Sequence, residues 1–131
     1  GIDEIHIGLN DLHLSMNLKF MFELLSGGIV DYVINKLKKK NIPYGFGGIA
    51  TLNEGVISGE MILKEHVRLN SSMVILSRSF KNMVEKDFLL FEKEFLNMKK
   101  THKELVMGFD KVLLNESRKE LKSKIKKIVN G

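Results

Sequence analysis

Two spacings of apolar residues alternate along the first eighty positions. Three short apolar runs, rich in β-branched or aromatic residues, have the pattern of strands; they cover residues 5–7, Tyr44–Ile49 and Met73–Leu76. Between them apolar residues recur every three or four positions, as on one face of a helix; these are Val30, Val33, Ile34 and Leu37, then Met61, Ile62 and Leu69. Strands separated by helices pair in parallel through right-handed crossovers. The pattern therefore predicts an α/β unit over residues 1–80.

Helix boundaries in this part are marked by residues that begin or end helices. Pro43 prevents the first long helix from continuing, and Ser58 is placed to begin the next one. Asn70 tolerates the left-handed conformation that closes a helix. The strand Met73–Leu76 is apolar throughout, which is typical of a strand buried on both faces.

From residue 81 onward the pattern is helical. One apolar row predicts a long helix that packs against another helix; it contains Val84, Phe88, Phe91, Phe95, Met98, His102 and Leu105. Gly108 is predicted to end it. Ser117 and Glu120 form a capping box that is predicted to begin a last helix, buried through Leu121, Ile125 and Ile128. We expect residues 81–131 to serve packing or oligomerisation.

Three parallel strands leave both edges of a sheet unpaired. Such a narrow sheet would expose backbone groups and apolar side chains to water. We therefore expect it to be completed by strands from elsewhere in a longer protein, or by a second copy. We predict that the longer protein is a (β/α)₈ barrel, which needs about 250 residues. The chain is predicted to be the carboxyl-terminal part of that barrel.

The charge distribution and the amino-acid composition limit the kinds of partner that the protein could bind. Residues 111–131 contain seven lysines and arginines against two glutamates, which accounts for the whole net charge of +5. A solvated helix face explains this better than a nucleic-acid site, because aromatic residues are not interleaved with the basic ones. No apolar run is long enough to cross a membrane. The absence of cysteine suits a cytoplasmic protein and excludes thiolate chemistry.

Candidate chemistry lies where the strands end, since parallel α/β proteins carry functional residues there. Asp11 is a candidate ligand for Mg²⁺ or Mn²⁺, although spacing alone favours the alternative that it caps the following helix or turn. His13 is a candidate acid or base, or a rim residue. Gly47, Gly48 and Arg78 could hold an anion, or the glycines could serve close packing only.

Residues 1–80 resemble the carboxyl-terminal third of the HpcH/HpaI aldolase/citrate lyase family of pyruvate-binding barrels. The family's sixth strand reads G-x-D-x-x-x-I-G-x-x-D-L, and this chain matches it at Gly1, Asp3, Ile7, Gly8, Asp11 and Leu12. Its seventh strand and helix resemble residues 45–69, and its eighth strand resembles residues 72–77. The resemblance implies a divalent-metal-dependent carbon–carbon lyase acting on a 2-oxo acid such as pyruvate or oxaloacetate.

The same resemblance assigns roles to residues. Asp11 would bind the metal beside a glutamate from an earlier strand, and the amides around Gly8, Leu9 and Asn10 would receive the substrate carboxylate. That glutamate and an enolate-stabilising arginine are missing here, so the chain alone is expected to be inactive. The last helices imply a homo-oligomer.

Two alternatives stay open. Asn10 makes the motif similar to the I-G-x-N-D-L of phosphoenolpyruvate-utilising phosphotransferases, but their cysteine after the seventh strand is absent. A non-catalytic barrel with an assembly tail is the other alternative.

Overall fold

The computed structural model of the chain describes residues 3–131 and contains a three-stranded parallel sheet. The strands are β1 (Ile5–Gly8), β2 (Tyr44–Ile49) and β3 (Met73–Leu76), and β2 lies between the other two. Ile5 is in register with Tyr44, and Phe46 with Val74. The predicted strands and their parallel pairing are confirmed, and the class is α/β. Gly1, the first residue of the motif, lies outside the described range.

Helices connect and follow the strands. The described helices are α1 (Leu9–Ser15), α2 (Glu23–Ser26), α3 (Ile29–Lys39), α4 (Gly59–Arg68), α5 (Arg78–Lys86), α6 (Phe88–Met107) and α7 (Lys111–Asn130). Their apolar faces enclose a core that includes Leu24, Ile34, Phe46 and Leu63. None of the helices between residues 3 and 131 is both long and apolar enough to span a bilayer.

Glycine in β2 is required by the approach of β3. A Cβ on Gly45 would lie 2.2 Å from the Met73 side chain, and one on Gly47 would lie 2.2 Å from the Cβ of Ile75. Real Cβ atoms do not approach other atoms so closely, so an alanine at either position would push the two strands apart. Tight strand packing therefore explains these glycines whether or not a ligand binds nearby.

The predicted helix boundaries are confirmed in this half of the chain. The Ser58 hydroxyl accepts a hydrogen bond from the backbone N–H of Met61 and so begins α4. Asn70, just past the end of that helix, has a φ of 55°. Asparagine enters this left-handed region at lower cost than most residues, which lets the chain turn directly into β3.

Three predictions about the chain from β3 onward are wrong in detail. The long apolar row is divided at Asp87, which accepts from the N–H of Leu90 and begins α6 as a separate helix. The last helix begins at Asp110, which accepts from two N–H groups, so Ser117 lies inside α7. β3 is half-buried rather than fully buried, because it pairs with β2 on one side only among the described residues.

An ionic cluster links three helices, α3, α4 and α7. The Arg68 guanidinium donates to both carboxylate oxygens of Asp31 at 3.0 and 3.1 Å, and also to Glu65 at 2.6 Å. Arg118 donates to the same Asp31 at 3.1 Å. Because Asp31 is in α3, Arg68 in α4 and Arg118 in α7, the cluster joins three helices that are far apart in sequence.

Candidate functional site

The carboxyl ends of the three strands open into one cleft of about 540 Å³. It is lined by residues at or after the strand ends and by one residue that precedes α2: Gly8, Leu9, Asn10 and Asp11 at β1 and α1, Met21 before α2, Gly47 and Gly48 in β2, and Ile75, Leu76, Ser77, Arg78 and Lys81 at β3 and α5. Of the residues singled out from the sequence, all except His13 line this cleft. Parallel strands bring them together because their carboxyl ends share one edge of the sheet.

Asp11 lies in the first turn of α1, and its side chain is exposed. Its carboxylate takes part in none of the ion pairs that link described residues. The residue preceding the helix is Gly8, which has no side chain to cap it, and Asp11 itself makes no capping hydrogen bond among residues 3–131. The capping explanation of Asp11 is therefore not what the structure shows, and the carboxylate is free to bind a ligand.

The glycines around the cleft differ in what they permit. A Cβ on Gly48 would lie 2.9 Å from the Cα of Ser77, so this residue, like Gly47, is held against the neighbouring strand. A Cβ on Gly8 would meet nothing within 4 Å. Close packing is enough to explain the two β2 glycines, and contact with a ligand would be a second role for them. At Gly8 packing makes no such demand.

Two cations reach the cleft from α5. The Ser77 hydroxyl accepts from the N–H of Phe80 at 3.2 Å, which fixes the start of that helix. Arg78 and Lys81 are three positions apart and so lie on one side of α5. Both are exposed and line the cleft. Lys81 was missed from the sequence, although its spacing from Arg78 on a helix was the available signal.

His13 lies on the same helix as Asp11 but does not line the cleft. Its side chain is 9% exposed, and its Nδ1 atom has no hydrogen-bond partner among the described residues. It packs within α1 on the side away from Asp11, since residues two positions apart point in different directions on a helix. The structure does not bring His13 to the other candidates.

A second histidine is buried where α4 packs against β2. His66 is fully buried, stacks on Phe46 with ring centroids 3.7 Å apart, and places Nδ1 2.5 Å from the Ser71 hydroxyl. Burial, together with a smaller contribution from the nearby His102, lowers the pKa of His66 from 6.5 to about 3. His66 is therefore neutral at physiological pH and contributes to packing.

The described residues supply part of a metal site. Between residues 3 and 131 no group of three or more histidine or acidic side chains is arranged to hold a metal ion. Mg²⁺ is commonly held by one or two carboxylates, with water and substrate oxygens completing its coordination. Asp11 fits one position of such a set, and a second carboxylate would have to come from outside these residues.

These features define the class: a parallel α/β protein with a cleft at the carboxyl edge of its sheet, lined by one carboxylate and two cations. No protein-family model, curated protein or solved structure matches the chain.

Proposed function

We propose that the chain is the carboxyl-terminal part of a (β/α)₈-barrel carbon–carbon lyase of the HpcH/HpaI type, which uses Mg²⁺ or Mn²⁺ and acts on a 2-oxo acid. The observation that carries the proposal is the convergence of Asp11, Arg78 and Lys81 in one cleft at the carboxyl edge of a parallel sheet. The two outer strands, unpaired on their far sides within the described residues, fit a sheet that continues into further strands.

Each residue has a definite part in this proposal. Asp11 would hold the divalent ion together with a carboxylate from an earlier strand. The ion would polarise the 2-oxo group and stabilise negative charge that develops when the carbon–carbon bond breaks. The amides of Leu9 and Asn10, at the open start of α1, would orient the substrate carboxylate. Gly47 and Gly48 keep the floor of the cleft free of side chains.

The test is whether Asp11 binds the metal in the full protein. We expect Asp11→Asn to weaken Mn²⁺ binding by more than about tenfold, because it removes a charged ligand. Isothermal titration measures the affinity, and exchange of pyruvate methyl protons in D₂O, followed by NMR, reports the chemistry without knowledge of the natural substrate. Both signals should fall together.

A matched control separates this effect from general damage. Glu116→Gln removes an exposed carboxylate on α7, away from the cleft, and should leave Mn²⁺ affinity unchanged. Equal Mn²⁺ binding by the Asp11→Asn protein and the wild type would remove the metal role of Asp11 and with it the proposal.

A phosphoenolpyruvate-utilising phosphotransferase is the second candidate, favoured by the two cations of α5 in the same cleft. Arginine and lysine commonly bind phosphate in proteins, because they donate charge-assisted hydrogen bonds to its oxygens. Transfer of phosphate from phosphoenolpyruvate to a histidine-bearing domain of the same protein would favour this candidate over the lyase.

Self-association is also part of the proposal. Its support is the apolar surface of α6, where Phe88, Leu89 and Leu96 are more than half exposed. Exposed apolar surface of this kind commonly marks an interface between proteins. A sedimentation experiment on the protein that finds only monomer would contradict it.

A further inference from the structure

A second cavity, of about 390 Å³, lies among the helices and away from the carboxyl ends of the strands. It is lined by residues of α4, of the turn that joins α4 to β3, and of α6, including His66, Ser71 and His102. It shares no lining residue with the cleft that holds Asp11. Two histidines from different helices therefore meet at a place that the proposed lyase activity does not use.

The His66 ring is held so that one of its nitrogens has no partner. Its Nδ1 atom lies 2.5 Å from the Ser71 hydroxyl, and that hydroxyl donates to the Met73 carbonyl at 3.4 Å. The hydroxyl has a single proton, so it accepts from Nδ1 and leaves the lone pair of the ring on Nε2. Nε2 is buried and has no hydrogen-bond partner between residues 3 and 131. An unsatisfied buried acceptor costs stability, and a ligand that used this lone pair would remove that cost.

The lining of this cavity favours metals that bind imidazole over hard cations. No carboxylate of the described residues lines it, and Mg²⁺ and Ca²⁺ prefer oxygen ligands. Imidazole nitrogen suits Zn²⁺, Cu²⁺ and Ni²⁺. The positive charge of Arg68, which also lines the cavity, is offset by its bonds to Asp31 and Glu65. Because the pKa of His66 is about 3, its ring is neutral at physiological pH and no proton has to leave before a metal binds.

His102 brings the second imidazole from α6. It is half-buried and lies close enough to His66 to lower the pKa of that residue. No hydrogen bond joins Nε2 of His66 to His102 or to any other described residue. Two histidines are one fewer than the three protein ligands of a catalytic zinc site, and four-coordinate zinc accepts water at its open positions. The cavity has room for that water.

We infer that His66 and His102 bind a transition-metal ion of the Zn²⁺ or Cu²⁺ type between α4 and α6, with water completing its coordination. This site is independent of the proposed function, and its metal differs in kind from the Mg²⁺ or Mn²⁺ proposed for Asp11. Ser71 is a positioning residue, because its bond to Nδ1 orients the His66 ring and keeps the lone pair on Nε2. Groups that hold the second nitrogen of a metal-binding histidine commonly have this effect.

The experiment combines two measurements on the full protein. Calorimetry with Zn²⁺ gives the affinity, and electron paramagnetic resonance of the Cu²⁺-loaded protein counts the coordinating imidazoles, because each bound nitrogen splits the signal. We expect the spectrum of the wild type to show two nitrogens. His102→Gln should weaken Zn²⁺ binding by at least about tenfold and remove one nitrogen from the spectrum. This residue is half-buried, so the variant is expected to fold.

Three further variants complete the design. His66→Gln should have the same effect as His102→Gln, and far-UV circular dichroism checks that it stays folded. Ser71→Ala should weaken Zn²⁺ binding by about tenfold while both nitrogens remain in the Cu²⁺ spectrum, as expected for a residue that orients a ligand. His6→Gln is the matched control. It removes an exposed histidine that is paired with Glu4 in the amino-terminal part of the chain, and should leave both measurements unchanged.

Each contrary outcome decides against the site. A wild type that does not bind Zn²⁺, or that binds it no more tightly than the His102→Gln protein, overturns the inference. The same holds if His6→Gln removes the binding, because the metal is then held at the surface near the amino terminus. A Cu²⁺ spectrum that keeps its nitrogens in folded His66→Gln protein shows that the buried ring is not a ligand, and this also overturns the paired site.

Discussion

Replacing Asp31 by asparagine tests whether the ionic cluster stabilises the packing of α3, α4 and α7. The carboxylate accepts three hydrogen bonds, two from Arg68 at 3.0 and 3.1 Å and one from Arg118 at 3.1 Å. Asparagine has nearly the same size but no charge and a single acceptor oxygen. Arg68 would keep its contacts with Glu65, whereas Arg118 would lose the ion pair that it makes with α3.

The expected loss in the free energy of unfolding follows from how deeply the three charged side chains are buried. Exposed ion pairs contribute less than about 1 kcal/mol, and breaking a buried pair from one side costs about 3–5 kcal/mol. The side chains here are 13% exposed for Arg68, 23% for Arg118 and 25% for Asp31. The cluster lies between the two limits but nearer the buried one, so we expect the free energy of unfolding to fall by about 2–3 kcal/mol.

Urea unfolding followed by far-UV circular dichroism measures the loss. The control is Glu120→Gln on α7, which removes an exposed pair with Lys124 at 3.7 Å and should change stability by less than about 0.5 kcal/mol. If Asp31→Asn costs no more than this control, the ionic cluster does not hold the three helices together and the reasoning from burial is wrong.

The same substitution should change the response to acid. Burial raises the pKa of Asp31, but hydrogen bonds and charges from Arg68 and Arg118 outweigh it, so the pKa is lowered from 3.8. A lowered pKa in the folded state means that the stabilisation is complete above about pH 4 and is lost as pH falls through the folded value. Below pH 4 the wild type should therefore lose stability more steeply than the Asp31→Asn protein.

Two further changes test the strand packing and the buried histidine. Gly47→Ala should cost about 3 kcal/mol of stability, because the new Cβ meets Ile75 at 2.2 Å. Gly8→Ala, with open space around it, should cost less than about 1 kcal/mol in the same urea experiment. Equal costs would contradict the packing account. The pKa of His66 is about 3 in the folded protein and 6.5 as its ordinary value. Between these two pH values the unfolded chain is protonated at His66 and the folded protein is not. The free energy of unfolding therefore falls as the pH falls below 6.5. We expect the protein to be about 2 kcal/mol less stable at pH 5 than at pH 7, and His66→Gln to reduce that difference; an unchanged difference would show that other groups cause it.

The strands and the cleft could be predicted because their signals are local. An apolar run that ends in glycine or serine marks a strand and the loop after it, and parallel pairing then brings the ends together. In this way the sequence predicts that Asp11, Gly47 and Arg78 lie at the strand ends, and the structure brings them into one cleft. The barrel itself stays a prediction, since three strands are compatible with more than one parallel α/β architecture.

Other features could not be predicted because they depend on competition or on distance along the chain. Asp110 and Ser117 both have the character of helix-capping residues, and burial of Leu114 requires the helix to begin at the earlier one. The pairing of Asp31 with Arg118 joins residues 87 positions apart, which no spacing rule detects. The inward position of His13 likewise depends on which face of a short helix meets the sheet.

The ionic cluster also affects the order in which the helices are joined during synthesis. Arg118 belongs to α7, so α3 can form this ion pair only after residue 118 has left the ribosome. Closing a loop of 87 residues has an entropic cost that grows slowly with length, and contacts so distant in sequence slow folding. During synthesis α3 and α4 therefore lack this contact until α7 has left the ribosome.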